Sequence, residues 1–232
     1  MNEKLLDCVE IEPSSPARSA VIWLHGLGAD GHDFEPIVPH LGVDASHAIR
    51  FVFPHAPKRA VTINGGFVMP AWYDIRAMSL SRDVDEQGVL ESARQIHALI
   101  ARENDLGIPD SRIVLAGFSQ GAAMALHVGL RYPRTLAGIV ALSTYLVRDE
   151  SLEDERSEAN RDIAIFQAHG SMDPMVRPEA GQLAYDRLTG LGYSVEFKAY
   201  AMGHEVHPQE VVDVGEALNA MLGAKPTPGN RV

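Results

Sequence analysis

The sequence predicts one α/β domain, in which a mostly parallel central sheet carries helices on both faces. Six short apolar runs are rich in β-branched residues and near-continuous rather than alternating, as in strands covered on both faces. Segments with helical periodicity lie between these runs, and such alternation is typical of a doubly wound sheet. The predicted strands are residues 20–24, 49–53, 112–116, 136–142, 163–167 and 195–200.

The predicted helices follow from apolar residues that recur on one side. Val89, Ala93, Ile96 and Ile100 are spaced by four, three and four residues, which places them on one face of a helix. The same one-sided pattern predicts helices at residues 120–131, 178–191 and 209–222.

Length and composition are those of a single globular domain. With 232 residues, of which 46% are hydrophobic, the chain can bury a substantial core, and we assign residues 1–224 to this domain. Residues 225–232 contain two prolines and a glycine without apolar periodicity, so we expect a flexible C-terminal tail. No apolar run approaches the roughly 20 residues that span a bilayer, and the N-terminal residues are acidic where a signal peptide is basic. We therefore expect a cytoplasmic protein.

Charge and cysteine content exclude several kinds of partner. The 31 acidic and 20 basic residues give a formal net charge of −11, which would repel a nucleic-acid backbone or an anionic membrane. We therefore expect no nucleic-acid partner and no stable membrane association, whereas a homodimer stays open. Cys8 is the only cysteine, so the chain forms no internal disulfide, and we expect a free surface thiol.

Two connections fit neither a helix nor a strand. Residues 54–82 read as a long loop that contains Trp72 and Tyr73, and its aromatic content favours a functional role. Residues 147–160 are rich in acids and are expected to form a solvated surface connection without chemistry of their own.

The sequence around Ser119 has the pattern of a nucleophile elbow. The strand at 112–116 runs directly into Gly117-Phe118-Ser119-Gln120-Gly121 and then into a helix that starts with small residues. A turn this tight strains the serine backbone and brings neighbouring segments so close that side chains at 117 and 121 would clash. We therefore predict that Ser119 is the nucleophile of a hydrolase.

A serine nucleophile needs a histidine base and a carboxylate that orients it. Asp173 lies in the loop after the strand at 163–167, and His204 follows the last strand, which gives the chain order serine, acid, histidine. Other candidates fit less well: we expect His169 to brace the acid loop and His127 to be a packing residue. The remaining competitors lie at a helix start, before a strand, or at a strand end without flanking glycines: His207, Asp162 and Ser143.

Two backbone amides are candidates for an oxyanion hole. The N–H of Gln120 follows the nucleophile, and the N–H of Leu27 lies between two glycines directly after the first predicted strand. The same loop also reads G-x-G-x-x-G over residues 26–31, which would suit a dinucleotide. That alternative requires an acid at the end of the next strand, where the chain has Pro54-His55-Ala56-Pro57.

Seven motifs in one order carry a family resemblance: LHGLGADGHDF, FPHAP, MPAWYD, AGFSQGAAM, ALSTYL, AHGSMDPMV and AMGHEV. From about residue 21 to residue 222 the chain resembles the phospholipase/carboxylesterase family, which includes bacterial carboxylesterases and acyl-protein thioesterases. The resemblance implies an α/β-hydrolase fold without a large cap domain, no metal and no cofactor. It also implies catalytic roles for Ser119, Asp173 and His204 and oxyanion amides at Leu27 and Gln120. Phe34 and Thr144 depart from residues that are frequent in the family.

The expected activity is hydrolysis of carboxylic esters, and also thioesters, through an acyl-enzyme on Ser119. We expect a small-molecule substrate with a short to medium acyl chain, while an acyl-protein thioesterase, a lysophospholipase, a peptidase and a non-catalytic binding module remain alternatives. Six loop residues are predicted to line an apolar acyl pocket: Trp72, Tyr73, Ile75, Met78, Val176 and Met202.

Overall fold

The central sheet is mostly parallel, as predicted. The computed structural model describes residues 5–77 and 83–223, and the predicted tail at 225–232 lies outside these residues. Seven strands form the sheet in the order β1-β3-β2-β6-β7-β8-β9, with only β1 antiparallel to its neighbour. The strands are β1 (Cys8–Ile11), β2 (Ser19–Leu24), β3 (Ile49–Pro54), β6 (Ile113–Phe118), β7 (Gly138–Leu142), β8 (Ile165–Gly170) and β9 (Val195–Tyr200).

Helices cover both faces of this sheet. They are α1 (Glu86–Asp105), α2 (Gln120–Arg131), α3 (Leu152–Glu155), α4 (Pro178–Gly190) and α5 (Pro208–Gly223). Apolar residues of α1, α2, α3 and α4 belong to one buried cluster, and those of α5 belong to a second cluster. Alternate residues of β2 contribute to the two clusters, Ile22 to the first and Val21 and Trp23 to the second. The fold is therefore that of an α/β-hydrolase, and residues 5–77 and 83–223 form no large cap.

All six predicted strands and four predicted helices are present, but the sequence pattern did not predict three further short strands. Strand β1 is a four-residue edge strand that pairs with β3, too short to show a periodicity. The predicted long loop at 54–82 contains an antiparallel hairpin of β4 (Lys58–Val61) and β5 (Phe67–Pro70). Cys8 lies on β1 as a free cysteine, as expected, and it is half-buried against the first buried cluster rather than fully at the surface.

The acid-rich connection is more ordered than predicted. Residues 147–160 contain α3, and Leu152 and Asn160 are buried. Glu155 binds both Arg131 of α2 and Arg148, and the side chain of Asn160 accepts a hydrogen bond from the N–H of Leu136. The ion pair of Glu155 with Arg131 therefore attaches this connection to helix α2. The composition of the segment did not reveal this attachment.

Helix α2 packs unusually close to the sheet. A Cβ atom on Gly117 would lie 2.5 Å from the carbonyl carbon of Gly121, and one on Gly121 would lie 2.5 Å from the carbonyl oxygen of His25. Real Cβ atoms do not approach backbone this closely, so both positions exclude larger residues. The predicted reason for these two glycines is confirmed.

We predict that Gly121→Ala destabilises the fold. The added methyl would press on the backbone of Leu24 and His25, which cannot move as a side-chain end can, and overpacking of this kind costs about 1–3 kcal/mol. Gly190→Ala is the control, because Gly190 ends helix α4 with open space around it. Urea unfolding should show a lower midpoint for Gly121→Ala and no loss for Gly190→Ala. Equal midpoints for the two variants would contradict the close contact.

Candidate active site

Ser119 has the backbone geometry of a nucleophile elbow. It lies between β6 and α2 with φ 54° and ψ −120°, a conformation that is unfavourable for a residue with a side chain. Neighbouring strand β7 holds it in place: the N–H of Ser119 donates to the carbonyl of Leu142 at 2.8 Å, and the hydroxyl of Thr144 donates to the carbonyl of Ser119 at 2.8 Å.

The structure brings Ser119, His204 and Asp173 together. Nε2 of His204 lies 2.9 Å from Oγ of Ser119, and Nδ1 of His204 lies 2.6 Å from Oδ2 of Asp173. An ionised carboxylate only accepts hydrogen bonds, so Nδ1 carries the ring proton. Nε2 is then free to accept the hydroxyl proton of Ser119, which is the arrangement that activates a serine.

Asp173 is buried and fully supplied with donors. Its side chain Oδ1 accepts from the N–H groups of Met175 and Val176 at 2.8 and 2.9 Å, which leaves Oδ2 for His204. His169 donates from Nε2 to the carbonyl of Val176 at 2.9 Å and so confirms its predicted role as a brace of this loop. The carboxylate is thereby fixed in a single orientation toward His204.

Aromatic rings support the imidazole of His204, and the sequence did not reveal this. The ring of Phe118 lies 4.7 Å from that of His204, centroid to centroid, and Phe34 lies 5.6 Å from Phe118. Trp23 stacks on Phe34 at 5.1 Å. Such contacts each contribute about 0.5–1.5 kcal/mol beyond buried area. The only available signal was the apolar residue directly before the nucleophile.

The two predicted oxyanion amides lie next to Ser119. Gln120 starts helix α2, where backbone N–H groups have no partner within the helix. In the other loop, a Cβ built on Gly26 would lie 3.6 Å from Cβ of Ser119, so the peptide that contains the N–H of Leu27 runs beside the nucleophile. Among the described residues no group accepts a hydrogen bond from this N–H.

Trp72 is a support of the site and not part of an open pocket, which corrects its predicted role. Its side chain is 0% exposed and donates from Nε1 to the carbonyl of His25 at 2.9 Å. Its backbone N–H donates to Oε1 of Gln120, and Nε2 of Gln120 donates to the carbonyl of Tyr73. The side chain of Gln120 therefore attaches this segment to the nucleophile helix. Composition could not distinguish a buried indole from one that lines a pocket.

The other predicted pocket residues fall into three groups. Tyr73 and Ile75 line a small cleft whose further apolar lining is Val84, Tyr145 and Val147. Val176 and Met202 are buried in different core clusters, so they do not share a pocket with each other. This corrects the prediction of one joint acyl pocket, since the two side chains are buried in separate clusters. Met78 lies outside the described residues.

The competing candidates take no part in the hydrogen bonds that join Ser119, His204 and Asp173. His127 is buried within helix α2, where burial lowers its pKa to about 3. His207 stacks on Tyr200 and accepts at Nδ1 from the N–H of Gln209. The side chain of Asp162 is 93% exposed. Ser143 is buried, and its hydroxyl has no partner among the described residues.

Two searches of the described part of the chain gave negative results. Residues 5–77 and 83–223 contain no group of three or more His, Cys, Asp or Glu side chains placed to hold a metal ion. Within the same residues, none of the helices has the length and apolar character needed to cross a membrane.

Comparisons with known proteins agree on one family. The family description phospholipase/carboxylesterase matches residues 6–222. Acyl-protein thioesterase 1 of Neurospora crassa is 40% identical over 213 residues, which cover 88% of this chain and 87% of that protein. Among solved structures, SOBER1 of Arabidopsis thaliana is 34% identical with a TM-score of 0.83, covering 89% of this chain and all of its own. Acyl-protein thioesterase 2 of Zea mays is 29% identical, also with a TM-score of 0.83, covering 94% of this chain and 99% of its own.

We predict that Asp173→Asn reduces kcat for a p-nitrophenyl ester by about 10³–10⁴-fold, because an amide at this position favours the wrong tautomer of His204. Asp162→Asn makes the same chemical change at an exposed carboxylate and should leave kcat within about twofold. Steady-state kinetics of both variants tests this. A loss below tenfold in Asp173→Asn would assign the acid to another residue.

Proposed function

The chain belongs to the phospholipase/carboxylesterase family, and we propose that it is a thioesterase that releases acyl groups from acylated proteins. Family membership makes it a hydrolase of ester or thioester bonds. The names of its relatives favour protein thioesters over the predicted preference for small esters with short to medium acyl chains, since three fungal relatives at 38–40% identity are named acyl-protein thioesterase 1. The substrate series described below distinguishes this activity from hydrolysis of lysophospholipids.

The hydrogen-bonded chain Asp173–His204–Ser119 carries the proposed mechanism. As Oγ of Ser119 attacks the carbonyl carbon, Nε2 of His204 takes its proton, and Asp173 stabilises the resulting imidazolium. The carbonyl oxygen becomes an oxyanion that accepts hydrogen bonds from the N–H groups of Leu27 and Gln120. Each such donor is worth about 3–4 kcal/mol in the transition state.

The tetrahedral intermediate then collapses and expels the thiol or alcohol. His204 gives its proton to the departing sulfur or oxygen, which leaves an acyl-enzyme on Ser119. Water enters, His204 takes one of its protons, and the hydroxide attacks the acyl carbon. The second tetrahedral intermediate then collapses and releases the carboxylic acid. His204 returns its proton to Oγ of Ser119, which restores the hydroxyl.

We propose that the acyl chain enters at the cleft between Tyr73, Ile75, Val84, Tyr145 and Val147, which has a free volume of about 20 Å³ and must widen to hold the chain. Both of its walls are attached to the nucleophile: the carbonyl of Tyr73 accepts from the side chain of Gln120, and Tyr145 follows Thr144, which donates to the carbonyl of Ser119. Asp74, Arg76 and Asp83 contribute charged groups to the same cleft.

We predict that Ser119→Ala abolishes ester and thioester turnover, with a loss in kcat of at least about 10³-fold. Ser143→Ala is the matched control, because Ser143 also follows a sheet strand and has positive φ. It should retain activity within about threefold. Mass spectrometry after mixing with a p-nitrophenyl ester should show one added acyl group in the parent and none in Ser119→Ala.

Turnover measurements on the parent and on Ser119→Ala separate this proposal from its alternatives. Turnover that survives Ser119→Ala would remove Ser119 as nucleophile, and a parent without any turnover would support a binding module. Rapid peptide cleavage beside slow ester cleavage would support a peptidase.

A substrate series tests the acyl group. We expect an S-palmitoylated peptide to give a higher kcat/KM than p-nitrophenyl esters from acetate to palmitate and than a lysophospholipid. Ile75→Trp should narrow the cleft and lower kcat/KM for the long acyl chain at least tenfold, with less than a threefold effect on acetate. Leu106→Trp, at the exposed end of α1, is the control and should change neither value. Equal effects of Ile75→Trp on both chain lengths would rule out this cleft as the acyl site.

A further inference from the structure

His25 connects four segments around the proposed oxyanion hole. It directly follows β2, its side chain is buried at 2% exposure, and its polar atoms contact the residues after β3 and the segment at Trp72. We propose that His25 is a positioning residue whose neutral imidazole fixes the Gly26–Leu27 peptide, so that the N–H of Leu27 faces the reacting carbonyl. This inference rests on the proposed function, since it specifies how one of its two oxyanion donors is held.

The contacts of His25 determine its tautomer. The backbone N–H of Ala56 donates to Nε2 at 3.0 Å, so Nε2 carries a lone pair. The single ring proton of a neutral imidazole is then on Nδ1, which lies 2.7 Å from the carbonyl oxygen of Gly26 and donates to it. The ring is thus a two-sided link between the end of β3 and the loop after β2.

The carbonyl of Gly26 and the N–H of Leu27 belong to one peptide group. In a trans peptide these two bonds point in opposite directions. Nδ1 of His25 holds the carbonyl oxygen on its own side, together with the N–H of Ala29, which donates to the same oxygen at 3.3 Å, and the N–H of Leu27 is thereby turned to the other side. A Cβ atom on Gly26 would lie 3.6 Å from Cβ of Ser119, and the proposal takes this second side to be the one that faces Ser119.

The backbone of His25 is fixed as firmly as its ring. Its carbonyl accepts from Nε1 of Trp72, and the two rings lie 5.4 Å apart. The same carbonyl oxygen is pressed against Gly121 of helix α2. Because the position cannot shift, a change of the imidazole alone would act on the peptide that it holds.

The surroundings keep the imidazole neutral. Burial lowers the pKa of His25, while the carbonyl of Gly26 and the charge of Asp30 act in the opposite direction and His55 acts with burial. A proton on Nε2 would place two N–H groups against each other at Ala56. The proposed geometry therefore requires a neutral imidazole with its proton on Nδ1.

Two isosteric variants separate the two ring nitrogens. The amide of His25→Asn places a donor near the Nδ1 position, and the amide of His25→Gln places an acceptor near the Nε2 position. His25→Phe removes both while retaining bulk. We expect His25→Phe to lower kcat about 10²-fold, the typical effect of losing one oxyanion donor, with KM changed less than threefold. His25→Asn should recover at least tenfold of that loss, and His25→Gln should not.

The affinity for a transition-state analogue distinguishes the positioning role from a role in packing alone. A trifluoromethyl ketone forms an oxyanion on Ser119, whereas the matching substrate ether binds without one. In His25→Phe and His25→Gln the affinity for the ketone should fall in parallel with kcat/KM, while the affinity for the ether stays within threefold. His127→Asn, at a buried histidine of α2, is the control and should leave both affinities unchanged.

The outcomes are separable. Equal losses in His25→Asn and His25→Gln, or equal losses of ketone and ether affinity, would overturn the inference and leave packing as the role of His25. Failure of His25→Phe to fold leaves the comparison of the other two variants intact. Turnover that persists in Ser119→Ala would instead contradict the proposed function, independently of His25.

Discussion

The geometry of the candidate active site depends on a direct contact between the end of strand β2 and the first turn of helix α2. Gly121 permits this contact, because any Cβ at that position would collide with the carbonyl groups of Leu24 and His25. Ser119 is the residue before the helix, so its position and its strained backbone follow from where the helix can lie. The loop at Gly26 and Leu27 is brought to the nucleophile by the same contact.

Around this contact, hydrogen bonds fix the direction of the polar groups of the site. Two backbone N–H groups orient Asp173, Asp173 orients His204, and His204 is left with a lone pair toward Ser119. On the other side of the nucleophile, Gln120 and Trp72 hold the adjacent segment through buried hydrogen bonds. Preorganised dipoles of this kind need no reorientation during a reaction, and this is their advantage over solvent water.

The residues that form the hydrogen-bonded triad were predictable from the sequence, whereas the residues that hold the triad in place were not. Ser119, Asp173 and His204 were predictable because parallel strands end at one edge of a sheet, so residues that follow three strands must lie near one another. Trp72 was misassigned because an aromatic residue in a long connection has the same composition whether its ring is buried or lines a pocket. His25 and Phe118 were missed because their roles depend on contacts with Ala56, Trp72 and His204, which are far away in the chain.

The sequence by itself determined the fold class, the order of six strands and four helices, and the three residues at the centre of the candidate site. These follow from local patterns: apolar runs, helical periodicity and glycines that only a tight turn requires. Only the tertiary structure decided which side chains support that centre, which buried cluster each loop residue joins, and which residues line the cleft at Tyr73 and Ile75. The physical reason is that burial and hydrogen-bond partners are properties of neighbours in space, and a linear pattern does not contain them.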